Sequence, residues 1–208
     1  MASAIIHLAV AKELNKRLNI TNKYDYYLGS IAPDISKQIG RSKYESHFLK
    51  NSYKDDIPNM ELFISRYPNF KKNAFELGYF IHLYTDKLWF EDCMEKITCN
   101  NALKLLDGTI INTTEEEIKS IIYSDYTNLN IKVIDEYELD LSLFYEEFKI
   151  PKTEIKEIPV ENLDILINKM GIIIENSKEE KKYSIDIDLI KDFITTTCDR
   201  IIKELDKY

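Results

Sequence analysis

The chain has 208 residues, a formal net charge of −8, 44% hydrophobic residues, and only five glycines and five prolines. That length buries a core as one large domain or two small ones, and the scarcity of turn formers disfavours a β-sandwich or a doubly wound sheet and favours helices. The acidic balance argues against nucleic acid as a general partner and against docking on anionic membranes, although a local metal overrides the bulk field inside a pocket.

Residues 3–18 are predicted as a helix. Ser3 caps it, and Ala4, His7, Ala11, Leu14 and Leu18 recur on one face, which turns His7 inward among small residues. Residues 22–31 form a second helix, rich in tyrosine. Pro33 ends it, because the residue before a proline is pushed out of the helical region, and Asp34 follows on its exit. Residues 34–57 are polar and irregular and carry His47 within Ser46-His47-Phe48; a loop of that length inside a compact domain is more often functional than idle. Pro58 starts a short third helix, broken by Tyr67-Pro68-Asn69. Residues 70–97 read as a long fourth helix whose inner stripe is Phe75, Gly78, His82, Asp86, Trp89 and Cys93. Gly78 lets another element approach closely one turn before His82.

Thr113 and Thr114 stand at capping-box spacing before Glu116 and Glu117. They open a helix to about Tyr137 with Ile118, Ile122, Leu129 and Val133 on one face, and Asp125 falls in the middle of that face. Short helices are predicted near 141–148 and 161–175, then a charged loop at 178–182 and a final helix over 186–205. The only candidate strand is a short extended piece at 155–160. No repeat, low-complexity tract or linker divides the chain. The reading is one all-helical (all-α) domain over 1–208, with a metal-site half (1–97) and a helical C-terminal half (98–208).

Cys93, Cys99 and Cys198 are odd in number and lack CxxC spacing, which suits free thiols in a reducing compartment. Residues 1–20 are too polar for a signal peptide or anchor, and no other apolar run is long enough to span a bilayer. The expectation is a cytoplasmic protein with no stable membrane insertion; no motif speaks to its oligomeric state.

His7, His47 and His82 are the only histidines. His82 and Asp86, at i,i+4, place a nitrogen and an oxygen donor on one helix face, a costly pair inside an apolar helix unless something binds it. Two readings stand. In one, a zinc ion takes imidazole and carboxylate ligands, supplied by His82 and Asp86 with inward His7, Asp34 and His47. In the other, His82 is a core histidine bonded to a carbonyl, Asp86 pairs with a lysine, His7 is a satisfied core residue, His47 is exposed and Asp34 is a turn residue or the cap of a short helix. Asp125 is then a polar residue at the rim of its stripe. Joint placement favours the metal: the first and fourth helices each turn a histidine inward, and Asp34 and His47 lie between them in sequence. Cysteine is disfavoured as a ligand, since Cys93 would lie about 16 Å along the axis from His82 at the helical rise. Nucleophile-elbow, Walker A and G-x-G-x-x-G patterns are absent. So is an adjacent His-Asp dipeptide, which argues against an HD-type phosphohydrolase.

Through Ile6-His7-Leu8, Leu28-Gly-Ser-Ile-Ala-Pro33-Asp34-Ile, Ser46-His47-Phe48 and Gly78-Tyr-Phe-Ile-His82-Leu-Tyr-Thr-Asp86, in that order, the chain resembles the zinc-dependent phospholipases C of bacteria, more narrowly a short intracellular branch of them. Their fold is shared more distantly with the fungal single-strand-specific zinc nucleases. The resemblance covers roughly the first 95 residues. It implies an all-helical fold and a cluster of up to three zinc ions, with Asp34, His47, His82 and Asp86 on one ion and His7 on another, Asp86 bridging. The chain departs from the pattern in two places. Secreted members begin with a tryptophan whose amino group is a ligand, whereas this chain begins Met-Ala-Ser and is read as having no presequence to remove. Members also carry further histidines after the His-x-x-x-Asp helix, with a glutamate one turn beyond the last, and none follows His82 here. A remaining site would need carboxylates, with Asp125 the candidate, so the resemblance implies one or two zinc ions rather than three. Manganese or iron also suits such a mixed nitrogen and oxygen donor set.

Three functions follow as expectations. The first is a metal-dependent, phospholipase C-like hydrolase of phosphoric esters, acting on a small-molecule or lipid-headgroup phosphoester. The metal would polarise a phosphoryl oxygen and Asp34 would orient or deprotonate the water. Lys37 and Arg41 would contact the anionic substrate or simply form a solvated surface. The second is a non-catalytic helical protein that retains a structural metal and binds a partner or small ligand, as the missing histidines suggest. The third, nuclease activity on single strands, is disfavoured by the acidic balance and the lack of a basic stripe.

Overall fold

The structure is a computed structural model that describes residues 1–50, 57–99, 102–145, 147–175 and 184–208. Helix α1 (Ala4–Leu18) begins where the Ser3 side chain accepts from the Ile6 N–H, and ends at Asn19 in the left-handed conformation (φ 54°). Helix α2 (Lys23–Ile31) stops before Pro33, as its sequence requires. The chain does not then fall into a loop. A 3₁₀ turn (Ala32–Asp34) with Pro33 near its start carries it directly into the short α3 (Ile35–Gln38), so Asp34 leaves α2 on a continuing helical path. Part of the segment expected to be irregular, residues 51–56, lies outside the described residues.

After α4 (Met60–Arg66), the single helix predicted over 70–97 is resolved into pieces. A 3₁₀ turn (Phe70–Lys72) precedes α5 (Ala74–Leu88), which Asn73 caps by accepting from the N–H groups of Phe75 and Glu76. At Trp89 the helix widens into a π-turn (Trp89–Met94) before a last turn, α6 (Glu95–Ile97). Every residue from Phe75 to Asp86 is buried. Helix α5 is therefore a central rod rather than an amphipathic surface helix, and the inner stripe read from the sequence understates its burial. Its closest neighbour is α2. The two backbones touch at Gly29 and Gly78, where an added Cβ on Gly78 would run into the Tyr26 carbonyl and lie 2.8 Å from the Ser30 nitrogen.

Between α6 and α7 (Glu115–Glu136) lies a small antiparallel sheet that periodicity did not reveal. It comprises β1 (Thr98–Cys99), β2 (Ala102–Lys104) and β3 (Ile110–Asn112), with Thr98 opposite Leu103 and Leu103 opposite Ile111. Its signal was Asp107-Gly108, a hairpin dipeptide in which Gly108 adopts φ 87°. Of residues 155–160, the candidate strand, 155–159 stay irregular and Val160 opens a 3₁₀ turn (Val160–Asn162). The two residues just before it are pinned to α5 by Glu76, whose Oε1 accepts from the Thr153 hydroxyl and the Glu154 N–H.

The helix predicted near 141–148 is a single 3₁₀ turn (Ser142–Phe144), and the charged loop at 178–182 lies outside the described residues. Helices α8 (Leu163–Glu175) and α9 (Ile187–Leu205) close the fold, with α1 packed against α2, α5, α7 and α9. One hydrophobic cluster runs from Ile5 to Leu205 and joins the two halves. Cys93 and Cys198 are buried free thiols, and burial pushes both up to about 12. Among the described residues no helix is long and apolar enough to cross a membrane.

Candidate metal centre

Four elements deliver the site. The first turns of α1 carry His7, the turn after α2 carries Asp34, the loop before α4 carries His47, and the middle of α5 carries His82 and Asp86. His7, His82 and Asp86 are fully buried, His47 is 1% exposed, and the Asp34 side chain is 14% exposed. The loop holding His47 is locked in place. His47 N–H donates to Lys43 O, and the Tyr79 hydroxyl of α5 donates to Ser46 O at 2.5 Å. Phe48 follows in the left-handed region (φ 53°), a conformation costing about 1–3 kcal/mol in a bulky residue. Its ring is gripped edge-on by Phe63, Tyr67 and Tyr79, which fixes the strained corner and with it the His47 imidazole.

The side chains converge. His7 Nε2 lies 3.3 Å from Asp86 Oδ1, and His47 Nε2 lies 3.6 Å from Asp34 Oδ1 and 3.6 Å from Asp86 Oδ2. His82 Nε2 is 3.6 Å from Asp86 Oδ2 and 3.3 Å from His47 Nε2, and the His7 and His82 rings stack at 3.8 Å. In two sets, His7 with Asp34 and His82, and His47 with His82 and Asp86, one donor atom from each residue lies within 4.8 Å of the others.

Hydrogen bonds decide which atoms face the centre. His82 Nδ1 sits 2.9 Å from the Ser30 carbonyl, so Nδ1 carries the proton and Nε2 presents a bare lone pair. The Ser46 hydroxyl donates to Lys43 O, so it accepts from His47 Nδ1, 2.9 Å away, and the lone pair of His47 Nε2 also points inward. Two imidazole lone pairs thus face each other at 3.3 Å beside two carboxylates. Among the described residues, both ring nitrogens of His7 and Asp86 Oδ2 are buried without a hydrogen-bond partner. Such an arrangement is repulsive unless a positive charge occupies it. A proton on His82 is a poor candidate. Burial, with the neighbouring His7, lowers its pKa to about 3 despite the pull of Asp34 and Asp86. For Asp86, burial raises the pKa, but His7, His82 and the nearby amino terminus outweigh it and hold the carboxyl well below the usual range. Asp34 is likewise lowered, its burial outweighed by the His47 hydrogen bond and the surrounding imidazoles. His82 is therefore a neutral imidazole and Asp34 and Asp86 are ionised carboxylates, the forms that bind zinc.

Asp34, at the rim, opens onto two adjoining cavities. One, of about 270 Å³, is walled largely by apolar groups such as Ile5, Leu166 and Met170. The other, of about 340 Å³, contains His47 together with Lys37 and Arg41. The structure thus brings together His7, Asp34, His47, His82 and Asp86. It does not bring in Asp125. The helix phase is right, since Asp125 is 1% exposed, but its Oδ2 accepts from Ser184 N (2.8 Å), Ser184 Oγ (2.7 Å) and Ile185 N (3.1 Å). The carboxylate tethers the chain leading into α9. Asp125→Ala is expected to lower stability by about 3 kcal/mol in urea unfolding, because a charged acceptor is lost and buried donors are orphaned. Metal content per chain should not change; its loss would make Asp125 a ligand after all.

Sequence reasoning missed the groups that orient the ligands: Ser30 O, the Ser46 hydroxyl, and the Ala2 N–H, which donates to Asp86 Oδ1 at 3.0 Å. Only Ser46, adjacent to His47, left a trace in the sequence. The others act through the backbone, which no side-chain pattern encodes.

No curated protein and no solved structure matches the chain. The family model described as zinc dependent phospholipase C matches residues 5–208, well past the 95 or so residues that carry the recognisable motifs. With a zinc-compatible donor cluster inside a mostly helical fold, and that match over nearly its whole length, the chain belongs to the zinc-dependent phospholipase C family.

Proposed function

We propose that the protein is a zinc-dependent hydrolase of phosphoric esters, in which His7, Asp34, His47, His82 and Asp86 would hold one or two ions. The observation that carries the reading is the pair of inward imidazole lone pairs, His47 Nε2 and His82 Nε2, 3.3 Å apart beside ionised carboxylates and next to an open cavity. When bound, zinc supplies polarisation of a phosphoryl oxygen and acidifies water. Of the five, His47 lines one cavity and Asp34 lines both, and the Asp34 side chain is the more exposed of the two, which suits it to orient or deprotonate that water. His82, fixed by Ser30 O, and His47, fixed by Ser46, keep their rings from turning during the reaction.

The test is turnover of bis(p-nitrophenyl) phosphate and p-nitrophenyl phosphorylcholine by the zinc-loaded chain. We expect release of nitrophenolate that falls at least about 100-fold in His82→Ala. Equal rates in the two proteins, or none in the wild type at full zinc loading, would reject hydrolysis. Zinc that raises thermal stability without any turnover would point instead to a structural ion on a non-catalytic helical protein.

A further inference from the structure

The cavity beside Asp34 and His47 speaks to substrate charge. In a chain of net charge −8 it is lined by Lys37, Arg41, Lys43 and Lys119, with Asp34 its only carboxylate among the described residues. Lys119 pairs with Glu115 at 2.6 Å, so the argument rests on Lys37 and Arg41, for which no ion pair occurs among the described residues. The aromatic walls are also informative. A quaternary ammonium group is ordinarily held over open aromatic faces. Here Lys37 Nζ lies 4.4 Å from the centre of the Tyr123 ring and Lys43 Nζ lies 5.9 Å from that of Phe90. Two faces that would receive a choline group are already covered by the protein's own cations. Trp89, fully buried and also on the cavity wall, has an indole N–H without a partner among the described residues, a donor suited to an anion.

Resting on the hydrolase reading above, we infer that this protein selects phosphoesters that carry a second anionic group, a carboxylate or another phosphate, and discriminates against zwitterionic choline esters. Lys37 and Arg41 receive that second anion while the ester phosphate sits at Asp34. Both cations are exposed, so the preference weakens as salt rises. The adjoining apolar cavity, which shares Asp34, Lys37 and Tyr123 with the cationic one, would take an acyl portion if the substrate is a lipid.

The experiment is calorimetric binding to the zinc-loaded full chain of sn-glycero-3-phosphoserine against sn-glycero-3-phosphocholine, and of their dihexanoyl forms as the lipid arm. We expect the serine ester to bind at least about tenfold more tightly than the choline ester. The preference should fall below about threefold in K37Q/R41Q, at unchanged zinc content and melting temperature. A gain in affinity from the acyl chains with the same serine-to-choline ratio supports the proposal with a lipid as the source of the headgroup; no such gain supports it with a free phosphoester. Equal or tighter binding of choline, a preference that survives K37Q/R41Q, or no binding of any ester overturns it. Binding with the expected preference but no turnover sinks hydrolysis alone, and turnover without the preference sinks the charge selection alone.

Discussion

Gly78→Ala is expected to destabilise the protein by about 4 kcal/mol, near the top of the range for a single substitution. The reason is steric and lies in the backbone. A methyl group at Gly78 would overlap the Tyr26 carbonyl oxygen and approach the Ser30 nitrogen to 2.8 Å, and neither atom is the far end of a flexible side chain. Relief requires α2 and α5 to move apart, which opens the most intimate helix contact in the fold. The same movement withdraws the Ser30 carbonyl from His82 Nδ1, so the substitution should also lower zinc affinity although residue 78 touches no donor atom. Urea unfolding checks the first effect and metal content after dialysis the second. Gly171→Ala in α8 is the control. Among the described residues its added carbon meets only the Tyr145 hydroxyl, at 3.8 Å, and the helical backbone should gain up to about 1 kcal/mol. If the two alanines behave alike, close approach of α2 and α5 is not what Gly78 provides.

Removal of zinc is expected to lower the melting temperature by roughly 10 °C. An ion present at about a thousand times its dissociation constant stabilises the folded state by about 4 kcal/mol, and in a chain of this size each kcal/mol shifts the midpoint by about 2–4 °C. Without the ion, the buried lone pairs of His7, His47 and His82 oppose one another and the Asp86 carboxylate within the core. Calorimetric scans with and without a chelator test this, with His82→Ala as the reference. The variant should already melt low and respond little to the chelator. A wild-type midpoint that moves by less than about 1 °C, with no zinc bound after loading, would remove the metal from the account and the hydrolase reading with it.

The site was legible in the sequence to the extent that its chemistry resides in side chains on regular helices. His7 and the pair His82 and Asp86 were placed inward by 3.6-residue periodicity, and they are buried where that phase puts them. Asp125 was placed inward by the same logic, and it is buried, but periodicity specifies a face and not a partner. Its partners, Ser184 and Ile185, arrive from 59 and 60 residues away. Asp34 and His47 sit outside long helices, and their place in sequence between the two histidine-bearing helices, with the family resemblance, rather than periodicity, links them to the cluster. The small sheet at 98–112 was hidden because its strands are two or three residues long, too short for alternation to register. The break at Trp89 was hidden for another reason. A π-turn keeps the apolar content of a helix while shifting its phase, so composition there reads as uninterrupted helix.

The first two residues have a practical consequence. The Met1 carbonyl accepts from the Tyr126 hydroxyl at 2.7 Å, Ala2 is bonded to Asp86, and Met1 borders both cavities. Any purification tag or fusion joined ahead of Met1 would therefore lie beside both cavities. Tyr208, half exposed at the far end of the chain, is the safer point of attachment for anyone who wants to assay this protein.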